Sequence, residues 1–344
     1  MALGTGAIGE RNTDEDTTVR HGSPVLHELR EIEAYRAFLP GWALEAVPLD
    51  HGDFRVRWVT QDLPDIMVNR YSTASALREV YVKDPGATAF VLVLPAAGGD
   101  AFRVRGRRLE PMTLALLQPG TEYEIISPAG GHTLEAHVPD ELLARMGLER
   151  WLEPTLDVYP ERAVAAAFAR LVAPMVTAGS ARTAVPRTDQ LSVLEALSMA
   201  LDSADHSAPP APRVHLYGTY RRAMAAIEAD PDPMLTITEL AARVSVTTRT
   251  LRYAFGHAVG ISPYQYMLRR RMTIVRDALL DPARPERTVL ELLLSMGISH
   301  QGEFAGQYRR LFGESPSETR AGAIARRRDR PHRDGLPRLL RVAR

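Results

Sequence analysis

From about Glu28 to Pro139 the chain alternates short apolar runs with turn signals, the pattern of strands that bury one face. The runs are Phe54–Val59, Ala89–Leu94, Phe102–Arg105, Leu114–Leu117, Tyr123–Ile126 and Thr133–Val138. Gly and Pro punctuate them at Pro40-Gly41, Pro95, Gly98-Gly99, Gly106, Pro119-Gly120 and Gly130-Gly131. Regularly spaced short strands predict an antiparallel barrel or jelly roll, which can enclose a small ligand. Over Glu161–Leu201 the apolar period becomes helical, at Val164, Ala167, Phe168, Leu171 and Val172, then at Leu191, Val193, Leu194, Leu197 and Leu201. Two helices are predicted there, either covering the barrel or forming a dimer surface. Ser203–Pro212, with three prolines among Ala and Ser, reads as a linker.

Beyond the linker one pattern occurs twice: a short apolar helix, a tight turn, and a second helix that opens at a hydroxyl residue. The copies are Ile237–Phe255 and Val289–Tyr308. Each reads as a helix-turn-helix, whose second helix has about the width of the major groove of B-DNA. In the first copy Thr247 is the expected cap. Leu251, Phe255 and Ala258 define the buried face, and Arg249, Tyr253 and Gly256 lie opposite with Arg252 on the flank and Thr248 at the start. Arginine can grip a guanine edge or a phosphate, and Tyr253 can touch a thymine methyl. In the second copy Ser299 is the expected cap, Phe304, Tyr308 and Leu311 are expected inside, and His300, Gln301, Gly302, Glu303 and Gly306 face outward. Gln301 suits adenine and Glu303 suits cytosine, whereas the glycines offer no side-chain readout. The intervening Tyr264–Leu280 reads as a long amphipathic spacer helix.

The charge distribution strengthens this reading. The 344 residues balance 42 basic against 42 acidic side chains, but Arg213–Arg344 holds 23 arginines and 13 acids, leaving 19 basic and 29 acidic residues before it. A basic C-terminal part attracts a polyphosphate, and an acidic N-terminal part is repelled by it. The absence of cysteine excludes disulfides, a thiolate nucleophile and sulfur-ligated zinc. No apolar run approaches the roughly 20 residues of a membrane span. The polar start, Met1–Arg20, reads as a flexible arm, so a cytoplasmic protein without membrane contact is expected.

Two further runs, Gly260-Ile-Ser-Pro-Tyr-Gln-Tyr-Met-Leu-Arg269 and Phe312-Gly-Glu-Ser-Pro-Ser-Glu-Thr-Arg320, resemble the paired signatures of AraC/XylS-type transcriptional regulators over about Val214–Gly322. The resemblance implies seven helices whose two recognition helices enter adjacent major-groove segments. It also implies an N-terminal cupin-like sensor for a small-molecule effector, and activation of transcription through RNA polymerase at double-stranded promoter DNA. By motif position, Arg249, Arg252, Tyr253, Gln301, Gly302 and Gly306 fall where such regulators contact DNA. Leu293 and Ile298 stand where the family has a small residue and an aromatic. More weakly, Phe38–Trp42 through Phe54–Arg57 resembles the sensor of the ethanolamine-utilisation regulator branch.

The expected fold is therefore α+β, an N-terminal antiparallel cupin-like β-barrel plus helices and a C-terminal all-α domain with two helix-turn-helix units. Its parts are an arm over 1–24, a sensor domain over 25–160, a helical connector and candidate homodimer surface over 161–202, a linker over 203–213, the double helix-turn-helix domain over 214–322 and a basic tail over 323–344. Trp58, Arg70, Tyr71, Tyr81, Glu122 and Tyr123 are the candidate effector-pocket residues. An oxygenase or isomerase in the barrel would need clustered imidazoles, but His132 and His137 are five apart on one strand and so face opposite ways. A DNA-repair methyl acceptor needs a cysteine that is absent. No catalytic residue, metal or cofactor is called for, and a ligand-independent DNA-binding protein is the alternative to the sensor.

Overall fold

The computed structural model describes residues 23–38, 45–82, 86–96, 98–147, 157–159, 162–177, 187–202, 214–230, 235–281 and 288–326. Most of the expected arm, the linker over 203–213, the tail beyond 326 and the Leu39–Trp42 stretch lie outside the described residues.

Twelve strands and eleven helices are described. The N-terminal half runs β1 (Val25–Leu29), α1 (Ile32–Phe38), β2 (Glu45–Pro48), β3 (Val56–Asp62), β4 (Met67–Thr73), β5 (Leu77–Val82), β6 (Ala87–Val93), β7 (Arg103–Val104), β8 (Arg107–Arg108), β9 (Leu114–Leu117), β10 (Glu122–Ser127), β11 (His132–Pro139), α2 (Asp140–Arg145) and β12 (Asp157–Tyr159). All pairings are antiparallel and fall into two sheets, ordered β1-β3-β4-β11-β6-β9-β12 and β2-β5-β10-β7-β8. Among the described residues no strand ladder joins them, so of the expected barrel or jelly roll the strands form two packed sheets and no closed barrel. Where a barrel would close, α1 passes from the edge strand of one sheet to the edge strand of the other and buries Ile32, Tyr35 and Phe38 in the gap. The inward side chains of both sheets form one cluster, including Trp58, Tyr71, Leu77, Val93, Phe102, Leu117 and Tyr123.

Six of these strands fall outside the apolar runs. β4 and β5 are central, yet β5 carries Arg78 and Glu79, both almost wholly buried, and so looks polar in sequence. The next two helices, α3 (Arg162–Val172) and α4 (Arg187–Asp202), lie over the outer face of the larger sheet. Phe168, Val172, Val193, Leu194 and Leu197 pack there on Leu92, Leu116, Leu134, Ala136 and Val138. The helical stripe therefore covers the sheet; of its named apolar residues whose side chains are described, Leu191 alone is strongly exposed, and the Leu201 side chain lies outside the description.

The C-terminal half is helical: α5 (Val214–Ala229), α6 (Ile237–Arg243), α7 (Thr248–Ala258), α8 (Pro263–Leu280), α9 (Val289–Ser295), α10 (Gln301–Phe312) and α11 (Pro316–Arg326). The last helix runs past residue 322, into the expected tail. Capping boxes start α6 at Thr236 with Glu239, α8 at Ser262 with Gln265, and α9 at Thr288 with Glu291. Each satisfies amide groups that the first helical turn leaves without partners. Two apolar cores result. One gathers Tyr220, Leu240, Leu251, Phe255 and Tyr266; the other gathers Met272, Val275, Leu279, Leu293, Ile298, Phe304 and Tyr308. Both draw residues from α8, whose 18 residues span about 27 Å and hold the two helix pairs at a fixed separation.

The halves dock through buried polar contacts. Arg78 of β5 reaches Glu124 of β10 at 2.6 Å, and the Glu124 carboxylate also accepts hydrogen bonds from the Tyr220 hydroxyl at 2.6 Å and the Tyr217 hydroxyl at 3.1 Å, both from α5. Arg78 also donates to the Tyr220 hydroxyl and stacks over the Tyr266 ring. Around this centre, Glu33 and Arg36 of α1 pair with Arg276 and Asp277 of α8 at 2.7 and 2.8 Å, and Glu122 pairs with Arg221 at 3.0 Å. At Gly106 the backbone has φ of +77°, and an added Cβ would meet the Tyr217 ring at 2.4 Å. Tyr217 therefore seats against a turn that only glycine allows.

Glu124→Ala removes the short, buried partner of Arg78 and leaves it the Tyr220 hydroxyl and the longer contacts to Glu45 and Glu228, at 3.5 and 3.7 Å. We expect a loss of about 3 kcal/mol in urea unfolding, and partial recovery when Arg78→Met is added so that no buried charge remains unpaired.

Candidate nucleic-acid interface and internal cavity

The helices α6 and α7 are joined by four residues, with Ser245 in the left-handed region at φ of 55°. Thr247 caps α7 as expected, its hydroxyl accepting the Thr250 N–H at 3.1 Å. Leu251, Ala254, Phe255 and Ala258 are buried, so the 3.6-residue period turns Arg249, Arg252, Tyr253 and Gly256 outward. Thr248 is half-buried in the first turn. The Arg249 guanidinium lies 5.4 Å from the centre of the Tyr253 ring and donates to its hydroxyl at 3.1 Å. These two side chains form one exposed, preorganised unit, and Arg252 stands beside it on the same helix.

The turn between α9 and α10 places Gly297 in the left-handed region, as Ser245 is in the first turn, but is one residue longer. That residue corrects the expected cap. Ser299 stands two residues after Gly297, as Thr247 does after Ser245, but His300 is the residue at the N-cap and makes no side-chain cap bond. With ψ of 71° it keeps Ser299 out of the helix, and its carbonyl accepts the Phe304 N–H. Phe304, Tyr308 and Leu311 are buried as expected, while His300, Gly302, Glu303 and Gly306 are exposed and Gln301 is half-buried. Glu303 accepts a hydrogen bond from Gln307 at 3.1 Å. A Cβ at Gly302 or Gly306 would meet nothing within 4 Å.

A cavity of about 50 Å³ lies between the two sheets. Of the six pocket candidates, Trp58, Tyr71 and Tyr81 line it. Three do not. Arg70 alternates with Tyr71 along β4 and is not among the lining residues, and Glu122 is exposed in its pair with Arg221. Tyr123 is a core residue, its hydroxyl accepting the Gln118 N–H at 2.8 Å. The polar lining is instead Tyr35, Glu79, Ser127, Thr133, Glu135 and His137. Glu79 accepts hydrogen bonds from the Tyr35 hydroxyl and, at 2.6 Å, from the Ser127 hydroxyl. Burial pushes its carboxyl above the ordinary range against those two donors, with the Glu135 charge adding to the rise. Glu135 takes the Thr133 hydroxyl at 2.7 Å and lies 3.2 Å from His137 Nε2.

His137 lines the cavity whereas His132 does not, which follows from strand alternation. Thr133, Glu135 and His137 were visible in sequence as the polar side of a strand, which ordinarily reads as the solvent face. Nothing local distinguished Glu79. Among the described residues no three His, Asp or Glu side chains are grouped so as to hold a metal, and no helix is long and apolar enough to cross a membrane.

A helix-turn-helix domain model matches residues 240–322, which include both turns and both exposed helix faces. The chain is 35% identical over 107 residues to a probable thc operon regulatory protein of Rhodococcus erythropolis, covering 31% of this chain and 32% of that one. It is 32% identical over 101 residues to a XylDLEGF operon transcriptional activator of Pseudomonas putida, covering 29% and 32%. The match thus spans about a third of the length of these curated relatives. The solved structure of a probable AraC family transcriptional regulator from Rhodopseudomonas palustris is 36% identical, with 31% of this chain covering 97% of it at a TM-score of 0.29. The C-terminal part of this chain thus carries a helix-turn-helix domain over residues 240–322, and the chain is similar in sequence to transcriptional regulators of the AraC/XylS type.

Proposed function

We propose that the chain is a sequence-specific DNA-binding transcriptional regulator, an activator whose affinity for promoter DNA responds to a small molecule held between the two sheets. The observation that carries this reading is α7: a capped helix with a fully apolar inner face and an outer face of Arg249, Arg252 and Tyr253, inside the stretch shared with regulators. Both helix pairs act as reading units in this account, with Thr248, Arg249, Arg252 and Tyr253 in one major-groove segment and His300, Gln301, Gly302, Glu303 and Gly306 in the next. The spacer α8 sets their separation against the roughly 34 Å recurrence of the groove, and any mismatch is met by bending the duplex. The cupin-like sensor comprises residues 25–160, the connector 161–202, the linker 203–213 and the DNA-binding domain 214–322. RNA polymerase and a second copy of the chain are the protein partners, and the cytoplasm is the compartment.

The two exposed glycines support an unequal division of work between the units. The first supplies most base discrimination and the second mostly grips the backbone. Arg249→Ala is expected to flatten preference at particular base pairs at a cost of about 1–3 kcal/mol, while Gly306→Ala leaves the selected sequence unchanged. Binding-site selection followed by gel-shift titration over a salt series tests both. Equal information in the two half-sites would count against the division, and the lack of any salt-sensitive shift would end the reading. Thr247→Ala removes the α7 cap and should cost about 1 kcal/mol, seen as faster amide exchange at Thr250.

A further inference from the structure

The cavity between the sheets has an unusual charge balance. Its described lining holds two carboxylates, Glu79 and Glu135, but no lysine or arginine. Arg78 is next to Glu79 in sequence, yet strand alternation sends it to the opposite face, where it pairs with Glu124. His137 lies against Glu135 and can offset that carboxylate when protonated, whereas the groups acting on Glu79 are neutral hydroxyls, chiefly those of Tyr35 and Ser127 with Tyr71 beside them. A buried carboxylate without a cation carries a desolvation penalty, and a second carboxylate in the same cavity raises it.

The remainder of the wall is aromatic and aliphatic. Tyr35, Trp58, Tyr71 and Tyr81 present rings to the space, with Trp58 and Tyr71 edge-to-face at 5.4 Å. Aromatic faces attract cations and do nothing comparable for anions. Trp58 is also 6% exposed, and its indole N–H has no acceptor in the structure. Buried indole N–H groups normally find a partner, so this donor points to an acceptor atom supplied from within the space. The volume, about 50 Å³, admits several water molecules and therefore a ligand of only a few heavy atoms.

We propose that this cavity takes a small organic cation, an alkylammonium whose charged head is held by Glu79 and the surrounding aromatic rings and whose accessory hydrogen-bond acceptor meets the Trp58 indole. The proposal rests on the reading of the N-terminal half as a ligand sensor and names the chemical class of its ligand. Neutral alcohols would leave Glu79 uncompensated. Carboxylates would add a third negative charge to a site with no arginine or lysine.

The test uses the full chain and three probes that share one hydrocarbon group but differ in charge: tert-butylammonium, tert-butanol and trimethylacetate. Ethylammonium, ethanol and acetate form a smaller set, which separates size from charge. Binding is followed by calorimetry and by the shift of thermal unfolding. The expected result is that, in at least one set, the ammonium binds ten-fold or more tightly than its neutral and anionic counterparts, and that Glu79→Gln abolishes this preference. Tighter binding of the alcohol or carboxylate at the same cavity overturns the cation assignment while leaving a ligand sensor in place. Silence of all six probes, joined by silence of a wider amine, sugar and aromatic-acid panel, overturns the sensor reading itself. The charge ranking on the unaltered chain decides the matter even if Glu79→Gln does not fold. Glu122→Gln, on the exposed side of β10, should leave the ranking unchanged.

Discussion

The buried Arg78–Glu124 pair, closed by the hydroxyls of Tyr220 and Tyr217, is the contact on which the arrangement of the two halves depends. Arg78 and Glu124 are 1% and 2% exposed, so neither charge is solvated, and Glu124 is the nearest of the three carboxylates around Arg78. A buried ion pair of this kind contributes little net stability over an apolar substitute, but it tolerates almost no displacement, because moving either partner strands a charge. The pair therefore fixes position more than it stabilises. The middle of the smaller sheet, α5 and α8 are held in one register by a group whose alternatives are all costly.

Strand alternation makes the same register matter to the cavity. Along β5 the side chains alternate, with Arg78 facing the helical half and Glu79 and Tyr81 facing the cavity; along β10, Glu124 faces the helices and Ile125 and Ser127 the cavity. Arg78 pairs with Ile126 and Glu79 with Ile125 across the two strands. A change at the Glu79–Ser127 contact thus acts on the backbone that also carries Arg78 and Glu124. The same two adjacent strands thus line the cavity on one face and carry the contact to α5 on the other.

The charge asymmetry of the chain has a second use besides attracting a polyphosphate. Glu33–Arg276 and Glu122–Arg221 each join an acid from the N-terminal half to an arginine from the C-terminal half. Arg36–Asp277 runs the other way and fixes the relative position of α1 and α8. Part of the acidic excess is therefore spent on holding the domains together. Arg249, Arg252, Arg309 and Arg310 remain exposed on α7 and α10.

How far the chain could be read without coordinates follows from where each signal originates. The helical half was legible because its information is local. A hydroxyl residue at a helix start and apolar residues at threefold and fourfold spacing gave the α7 cap, the buried faces of α7 and α10, and the spacer α8. The α10 cap escaped because one added residue in a turn changes no pattern. Strands with apolar inner faces were equally plain, but β5 was not, since its inward residues include Glu79 and its outward ones Arg78, and buried charge looks like surface in a sequence. The same blindness hid Tyr35, Glu79, Glu135 and His137 from the cavity and suggested Arg70, Glu122 and Tyr123 instead. The sequence alone determined the helical period, the α7 cap and the charge of each half, because these are properties of neighbours along the chain. Tertiary structure alone decided which polar groups leave water, since that depends on partners such as Tyr220 for Glu124, which lies 96 residues away.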